Sequence, residues 1–347
     1  MKKIFLAMAA MTAILASCSK NTETGIELPN DGNGPQVRIT LASQQLGSRA
    51  FFDNTATAET WESALYSMSI YVYDQNGKYV MRKALTPAEI SAKGTSFPIP
   101  NYLSSTTCSF YVVANEDHRI ANNKSDLLTL TVKGSILDYN GDFTTVSKGS
   151  ARSGGFVMTG YTNVAIGAAG QTTHVPVTLT RVVAKVAVRT GLDPEFTVNY
   201  GGGTVVIDKV TLSKASEHSY YYYQDGIYGN RNFLTNLLQV PENNGGDWDN
   251  LFYIYENSQL MTGSRPVLTI SGFFDADSDM STTDDRQAVE YKVELDGSGN
   301  GEIKRNAYYR AEVIVKGLTG EGVALNLSVA DWEGPITQTS RSENNLT

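Results

Sequence analysis

Residues 175–189 (VPVTLTRVVAKVAVR) form a β-favouring run of fifteen residues. Strands in globular domains usually span about 3–10 residues. At about 3.3 Å per residue the run would extend about 50 Å, longer than one small sandwich. It therefore closes one domain and opens the next, with the boundary placed near Arg181. The chain length of 347 residues agrees with two domains of about 150 each. Further strand-like runs occupy 65–73, 108–114, 127–132, 205–212, 251–255, 267–274, 288–295, 308–315 and 323–329. Between them lie Gly-, Asn- and Asp-rich turns such as 74–77 (DQNG) and 296–301 (DGSGNG). A single fair helix candidate, 231–240, places Phe233, Leu234, Leu237 and Leu238 on one helical face. Many strands and little helix predict an all-β chain of two tandem β-sandwiches. The 41% hydrophobic content can fill two cores, which excludes disorder for the bulk of the chain.

The N-terminus has a different character. Lys2 and Lys3 precede an apolar stretch from Ile4 to Leu15, followed by Ala16, Ser17 and Cys18. This is the layout of a signal peptide, and the stretch is too short to span a bilayer as a helix. A cysteine at the end of the small-residue segment resembles the bacterial lipobox, which makes Cys18 the expected lipid-bearing first residue. Ser19 beside it is compatible with outer-membrane delivery. Residues 19–35 read as a flexible tether. Val37, Ile39 and Leu41 then alternate with Arg38, Thr40 and Ala42, the pattern of a half-buried strand. Residues 47–50 (GSRA) follow, small and polar around one arginine, and suit a protease.

Net charge and reactive residues exclude several functions. The chain carries a formal charge of −8 and no Lys/Arg cluster, which argues against nucleic-acid binding. His118, His174 and His218 are far apart in sequence, and Cys108 is left as a lone, buried thiol, so neither a metal centre nor a thiol nucleophile is predicted. Asp275, Asp277 and Asp279, with Asp284 and Asp285 nearby, have calcium-loop spacing. However, Met280 stands where such a loop needs Gly and Arg286 where it needs Glu. The segment is read as a solvated acidic turn. No phosphate-binding loop and no local glycosidase signature is present, so no cofactor and no enzymatic activity are expected. Tyr220, Tyr221, Tyr222 and Tyr223 are an unusual aromatic cluster, read as structural packing or, alternatively, as an adhesive or inter-subunit contact.

Several segments together resemble the fimbrillin family, the major and minor subunits of type V pili in Bacteroides- and Porphyromonas-like bacteria. They are 65–77 (LYSMSIYVYDQNG), 110–115 (FYVVAN), 156–160 (FVMTG), 179–188 (LTRVVAKVAV), 253–257 (YIYEN), 305–309 (RNAYY) and 329–332 (VADW). In the third, Thr159 stands where the family more often has Ser. The resemblance implies two transthyretin-like β-sandwich domains and a defined assembly route. Residues 1–17 would be the lipoprotein signal peptide and 18–49 a propeptide holding the tether and a removable strand. Residues 50–180 would form the N-terminal sandwich and 181–347 the C-terminal one. An Arg-specific protease would cut between Arg49 and Ala50, expelling the strand of Val37, Ile39 and Leu41, and a neighbouring subunit would supply a replacement. The implied partners are other copies and related pilus subunits, the protease, and the outer membrane through lipid, a palmitate-type anchor, on Cys18 before cleavage. The implied location is first the outer membrane and then the surface fimbrium, in adhesion and biofilm formation. Residues 333–347, with Ile336 and Leu346, are the candidate donor strand, the alternative being a frayed terminus. Two rival functions are a pilus-tip or surface adhesin binding a host glycan or protein, and a polysaccharide-acting lipoprotein enzyme.

Overall fold

The computed structural model describes residues 34–42, 52, 58–116, 121–223, 233–234, 236–244, 246–258, 262–296, 299–318, 322–332 and 337–343. Cys18, Arg49, Ala50, His118, Ile336 and Leu346 lie outside the described residues. The first half of the chain provides β1 (Gln36–Ala42), β2 (Met68–Tyr73), β3 (Tyr79–Ala84), β4 (Gly94–Pro98), β5 (Thr107–Ala114), β6 (Met158–Ala165), β7 (Thr172–Thr178) and β8 (Thr180–Arg181). The second half provides β9 (Val183–Leu192), β10 (Thr204–Ser213), β11 (Ala215–Ser216), β12 (Phe233–Leu234), β13 (Leu237–Gln239) and β14 (Glu242–Asn244). It continues with β15 (Asp247–Tyr255), β16 (Val267–Asp275), β17 (Gln287–Glu294), β18 (Ala307–Val315), β19 (Val323–Asp331) and β20 (Thr337–Glu343).

These strands form two pairs of sheets. The first half has a three-stranded sheet, β4-β1-β7, and a five-stranded sheet, β3-β2-β5-β6-β8. The second has a six-stranded sheet, β14-β15-β9-β18-β19-β20, a four-stranded sheet, β13-β10-β16-β17, and the small ribbon β11-β12. The chain is all-β, as its sequence predicts. No helix among the described residues is long and apolar enough to cross a membrane.

The long run 175–189 is resolved by two changes of sheet. β7 lies in the three-stranded sheet, β8 in the five-stranded sheet and β9 in the six-stranded sheet. A single strand of that length would have overhung its neighbours; three shorter ones each find partners on their own sheet. The passage between sheets is tight. Gly160 on β6 lies so close to β7 that a Cβ there would collide with the carbonyl oxygen of Thr178, which accounts for a glycine inside a strand.

Period-two burial is clearest on β17, where Val289, Tyr291 and Val293 point inward between exposed Glu290 and Lys292. β2 departs from this pattern because all six of its residues are buried. Ile70 and Val72 face the core of the first half. Tyr71 and Tyr73 share the opposite face with Tyr111, and Tyr222 from the second half packs edge-on against Tyr111 at 4.8 Å. Tyr71 and Tyr73 thus bury a second face of the sheet, whereas Tyr66, ahead of the strand, stays exposed.

Two local expectations are corrected. Residues 231–240 contain strands β12 and β13 instead of a helix. Leu237 and Gln239 are buried while Leu238 is exposed, and Leu237 pairs with Leu212 of β10, so tertiary pairing selects period two from an ambiguous apolar pattern. Residues 127–132 contain the end of a helix, Lys124–Leu128, rather than a strand. The Asn123 side chain caps it by accepting from the Asp126 N–H at 2.8 Å. Only Thr131 keeps a strand-like contact, an isolated bridge to Tyr220.

Candidate functional site

The first described strand lies between two walls from distant parts of the chain. β1 runs antiparallel to β4, with Val37 opposite Phe97 and Ile39 opposite Thr95. On its other side it runs parallel to β7, with Ile39 beside Val175 and Leu41 beside Val177. Backbone bonds hold both ends: Gln36 N–H donates to Gln171 O at 2.8 Å, Ile99 N–H to Pro35 O at 3.0 Å and Leu41 N–H to Lys93 O at 3.0 Å. Val37 and Ile39 are 0% exposed and Leu41 is 8% exposed. The three side chains are therefore anchors in the core, flanked by buried Phe97, Ile99, Val175 and Val177.

The outer face of the same strand is polar. Arg38 is exposed, and Thr40 Oγ1 lies 2.7 Å from Nε2 of His174 on β7. Glu89, in the short helix Pro87–Ser91 before β4, accepts from the Thr95 hydroxyl at 2.5 Å and lies 3.1 Å from Lys83 Nζ. The Thr95 hydroxyl first, and then the Thr86 N–H, pull the Glu89 carboxyl down to about 2. This holds the wall strand β4 from outside.

After β1 the next described residue is Phe52, and it belongs to other surroundings. Its ring lies under the guanidinium groups of Arg189 on β9 and Arg310 on β18, at 4.6 and 4.5 Å. Arg189 is itself fixed by a two-point ion pair with Asp249 at 2.7 and 2.9 Å. The candidate cleavage bond between Arg49 and Ala50 thus lies in sequence between a strand seated in the first half and a ring seated on the second.

At the other end, β20 pairs antiparallel with β19 at the edge of the six-stranded sheet, from Val329 opposite Thr337 to Ala324 opposite Glu343. Its sequence, TQTSRSE, contains no apolar residue. β1 (QVRITLA) offers three at alternate positions. β20 therefore does not repeat the pattern that fills the groove, while Ile336 and Leu346 of the candidate donor segment lie outside the described residues.

The family-like segments meet at a different place, the contact between the two halves. Glu62, in the 3₁₀ turn Thr60–Ser63, is 0% exposed. Its Oε1 lies 2.7 Å from Lys185 Nζ and accepts from the Tyr253 hydroxyl at 2.7 Å, while Oε2 accepts from the Glu59 N–H at 2.7 Å. Burial first, and then the Glu62 charge, push the Tyr253 hydroxyl well above its usual range, so it stays a donor. Arg181 donates to the Glu62 carbonyl at 2.8 Å, to Ser63 Oγ at 2.6 Å and to Asn306 Oδ1 at 3.1 Å. Its guanidinium lies 4.2 Å from the ring of Trp332, which stacks on Tyr253 and meets Phe156 edge-on. Asn115, the last residue of FYVVAN, donates to the carbonyls of Ala64 and Phe156 and accepts from the Tyr66 N–H. Arg181, Lys185, Tyr253, Asn306 and Trp332 are thus the joint of the molecule.

The tyrosine cluster belongs to this joint. Arg305, paired with Glu256 at 2.5 Å, donates to the carbonyls of Tyr220 and Tyr221 at 2.9 and 2.8 Å. Thr159 Oγ1 donates to Tyr221 O at 2.7 Å, and the Tyr222 hydroxyl to Val112 O at 3.0 Å. Tyr221 and Tyr222 are 2% and 3% exposed, so neither ring can reach a ligand, and the adhesive alternative is removed for these two. Tyr223 is the exposed member and Tyr220 is half-buried. Cys108 is buried on β5, and burial pushes its thiol up. His218 and His174 are exposed and lie on different sheets or loops, without a common site. Glu62, Phe52 and both groove walls were not found by sequence reasoning. A lone Glu in WESALY carries no local signal of burial.

Residues 31–334 match the family model for fimbrillin-A associated anchor proteins Mfa1 and Mfa2. Among solved structures, a Bacteroides eggerthii protein described as a candidate cell adhesion protein is similar with a TM-score of 0.57 at 16% identity, covering 90% of this chain and 99% of that one. The fimbrilin FimA of Porphyromonas gingivalis is similar with a TM-score of 0.55 at 15% identity, covering 86% and 98%. The tip fimbrial protein Mfa3 of Porphyromonas gingivalis, with a C-terminal truncation, gives 0.50 at 15% identity, covering 86% and 100%. At these identities the likeness is one of fold. No curated protein sequence matches the chain significantly.

Proposed function

Because the chain belongs to the family of fimbrillin-A associated anchor proteins Mfa1 and Mfa2, a family of fimbrial and cell-adhesion subunits, we propose that it is a structural pilus subunit activated by strand removal. In this reading Cys18 carries lipid and holds the precursor at the outer membrane. An Arg-specific protease cuts after Arg49, β1 leaves, and a strand from another subunit takes its place. The finished protein then serves the surface fimbrium in adhesion and biofilm formation.

The observation that carries the reading is the position of β1. β1 is the middle strand of three, hydrogen-bonded on both sides. Its loss would bare the facing backbone groups of both β4 and β7 and uncover the pockets of Val37, Ile39 and Leu41. Unpaired strand edges over an apolar groove are a template for another chain. Donor and acceptor surfaces would differ, so the contact would not close on itself and would propagate as a filament. The ring of Phe52, seated under Arg189 and Arg310, would retain the new N-terminus on the second half after the cut.

Arg49→Ala should leave lipidated monomers that begin at Cys18 and keep β1, and no fibres, in cells that make the protease. Mass spectrometry of the surface protein and electron microscopy read both. Undiminished polymerisation of this variant would refute cleavage at Arg49. Replacing Cys18 should abolish lipidation and reduce surface assembly.

A second reading, a terminal subunit or adhesin of the same pilus that binds a host glycan or protein, is favoured by β20. Its polar sequence supplies no apolar anchors for a groove like that of β1. Deleting residues 333–347 separates the two. A stalk subunit should lose chain growth beyond itself, whereas a terminal subunit should still be incorporated.

A further inference from the structure

We propose that the turn joining β16 to β17 holds one calcium-like divalent cation, ligated by the carboxylates of Asp275, Asp277 and Asp285. One carboxylate oxygen from each of the three lies within 4.8 Å of the others. Asp275 closes β16 and its side chain is 0% exposed. Its Oδ2 lies 3.2 Å from Arg286 Nε, but its buried Oδ1 has no hydrogen-bond partner among the described residues. The same holds for the buried Oδ1 of Asp285, whose Oδ2 accepts from the N–H groups of Ala276 and Asp277, both at 3.0 Å. A buried carboxylate oxygen without a donor is costly, and a cation removes that cost. Two such oxygens in one cluster point to a ligand in a way that an exposed acidic turn does not.

The charge balance agrees. Of the three carboxylates, Asp275 alone has an ion pair among the described residues, with Arg286 at 3.2 Å, and the two remaining negative charges equal one divalent ion. The donor set is all oxygen, with neither His nor Cys, which selects hard cations over zinc. Calcium takes ligands at about 2.3–2.6 Å in flexible geometry, so oxygens up to about 5 Å apart can share it; magnesium needs a tighter, near-octahedral shell.

The set differs from the one that the spacing of Asp275, Asp277 and Asp279 suggests. Asp279 turns away, its Oδ1 accepting from the Ser281 N–H and hydroxyl at 3.0 and 2.6 Å. Asp285 replaces it from the far side of the turn. Arg286, where a standard loop would place a bidentate Glu, instead braces Asp275 and donates to the Met280 carbonyl at 2.9 Å. The bound ion would tie the end of β16 to the start of β17. Through Ser278, which donates to Gly202 O at 2.7 Å, the same turn is fastened to the loop before β10.

Calorimetric titration of calcium chloride into chelator-treated full-length protein tests this, with magnesium chloride as the second arm. The expected result is one saturable calcium site with Kd on the order of 10⁻⁴–10⁻³ M and weaker magnesium binding. Asp277→Asn, at an exposed position where the amide oxygen can still accept from the Asp279 N–H as the carboxylate does at 2.8 Å, should weaken calcium binding at least about tenfold. Asp275→Asn should abolish it, and Asp277→Asn carries the test if that buried variant fails to fold. Absence of saturable calcium binding, binding by Asp277→Asn equal to that of the parent, or magnesium binding as tight as calcium would each overturn the proposal.

Discussion

Glu62→Ala should lower the stability of the folded chain by about 3–5 kcal/mol, the cost of removing one partner from a buried ion pair. Lys185 Nζ, 2.7 Å from Glu62 and 4% exposed, would be left charged among Trp332, Tyr308 and Tyr253 with no carboxylate. The Tyr253 hydroxyl and the Glu59 N–H would lose their acceptor in the same step. With a urea m-value of about 3 kcal/mol per M, the midpoint should fall by about 1–2 M at unchanged slope. The pair need not be better than an apolar one. Glu62→Met combined with Lys185→Met should recover most of the loss, because the penalty comes from an isolated charge. A midpoint for Glu62→Ala within about 0.2 M of the parent would mean that this seat does not hold the two halves together.

A chain beginning at Ala50, without β1, should be the second large change. Val37, Ile39 and Leu41 are worth about 1.5–3 kcal/mol each when buried, so roughly 5–9 kcal/mol together. Against a typical domain stability of about 5–15 kcal/mol, that loss consumes most of the margin of the first half. The walls would lose their ladders as well, since β1 bonds to both β4 and β7. The truncated chain is therefore expected to unfold its first half at much lower denaturant or to self-associate. A synthetic peptide of the β1 sequence added in trans should restore the thermal midpoint of the monomer. A truncated chain as stable as the full one, and unmoved by the peptide, would show that the groove closes without a strand.

Much of this architecture was legible because strands with one buried face print their period on the sequence. Val37, Ile39 and Leu41 alternate with polar residues, and the structure buries all three. The family-like segments were legible too, although as marks of kinship and not by their physical role. The structure shows that Arg181, Lys185 and Tyr253 converge on Glu62, and that Asn306 and Trp332 close the cluster around Arg181. What was not legible is non-local. Nothing in GTSFP announces that β4 pairs with a strand more than fifty residues upstream. Nor does the start of the long run show that β7 pairs with β1 in parallel. Apolar patterns compatible with two periods failed in both directions, at 231–240 and at 127–132. In the acidic turn, spacing selected Asp279 while the hairpin fold brought in Asp285.

The central claim is that β1 is a removable strand in a groove that another subunit then fills. Arg-specific proteolysis of the purified full-length chain tests it most directly, with N-terminal sequencing of the product and electron microscopy of the same sample. The account predicts one new N-terminus at Ala50, release of the fragment containing β1, and fibres that form only after the cut. A product cut at Arg49 that keeps β1 bound and stays monomeric, or fibres grown equally well from uncut protein, would contradict it.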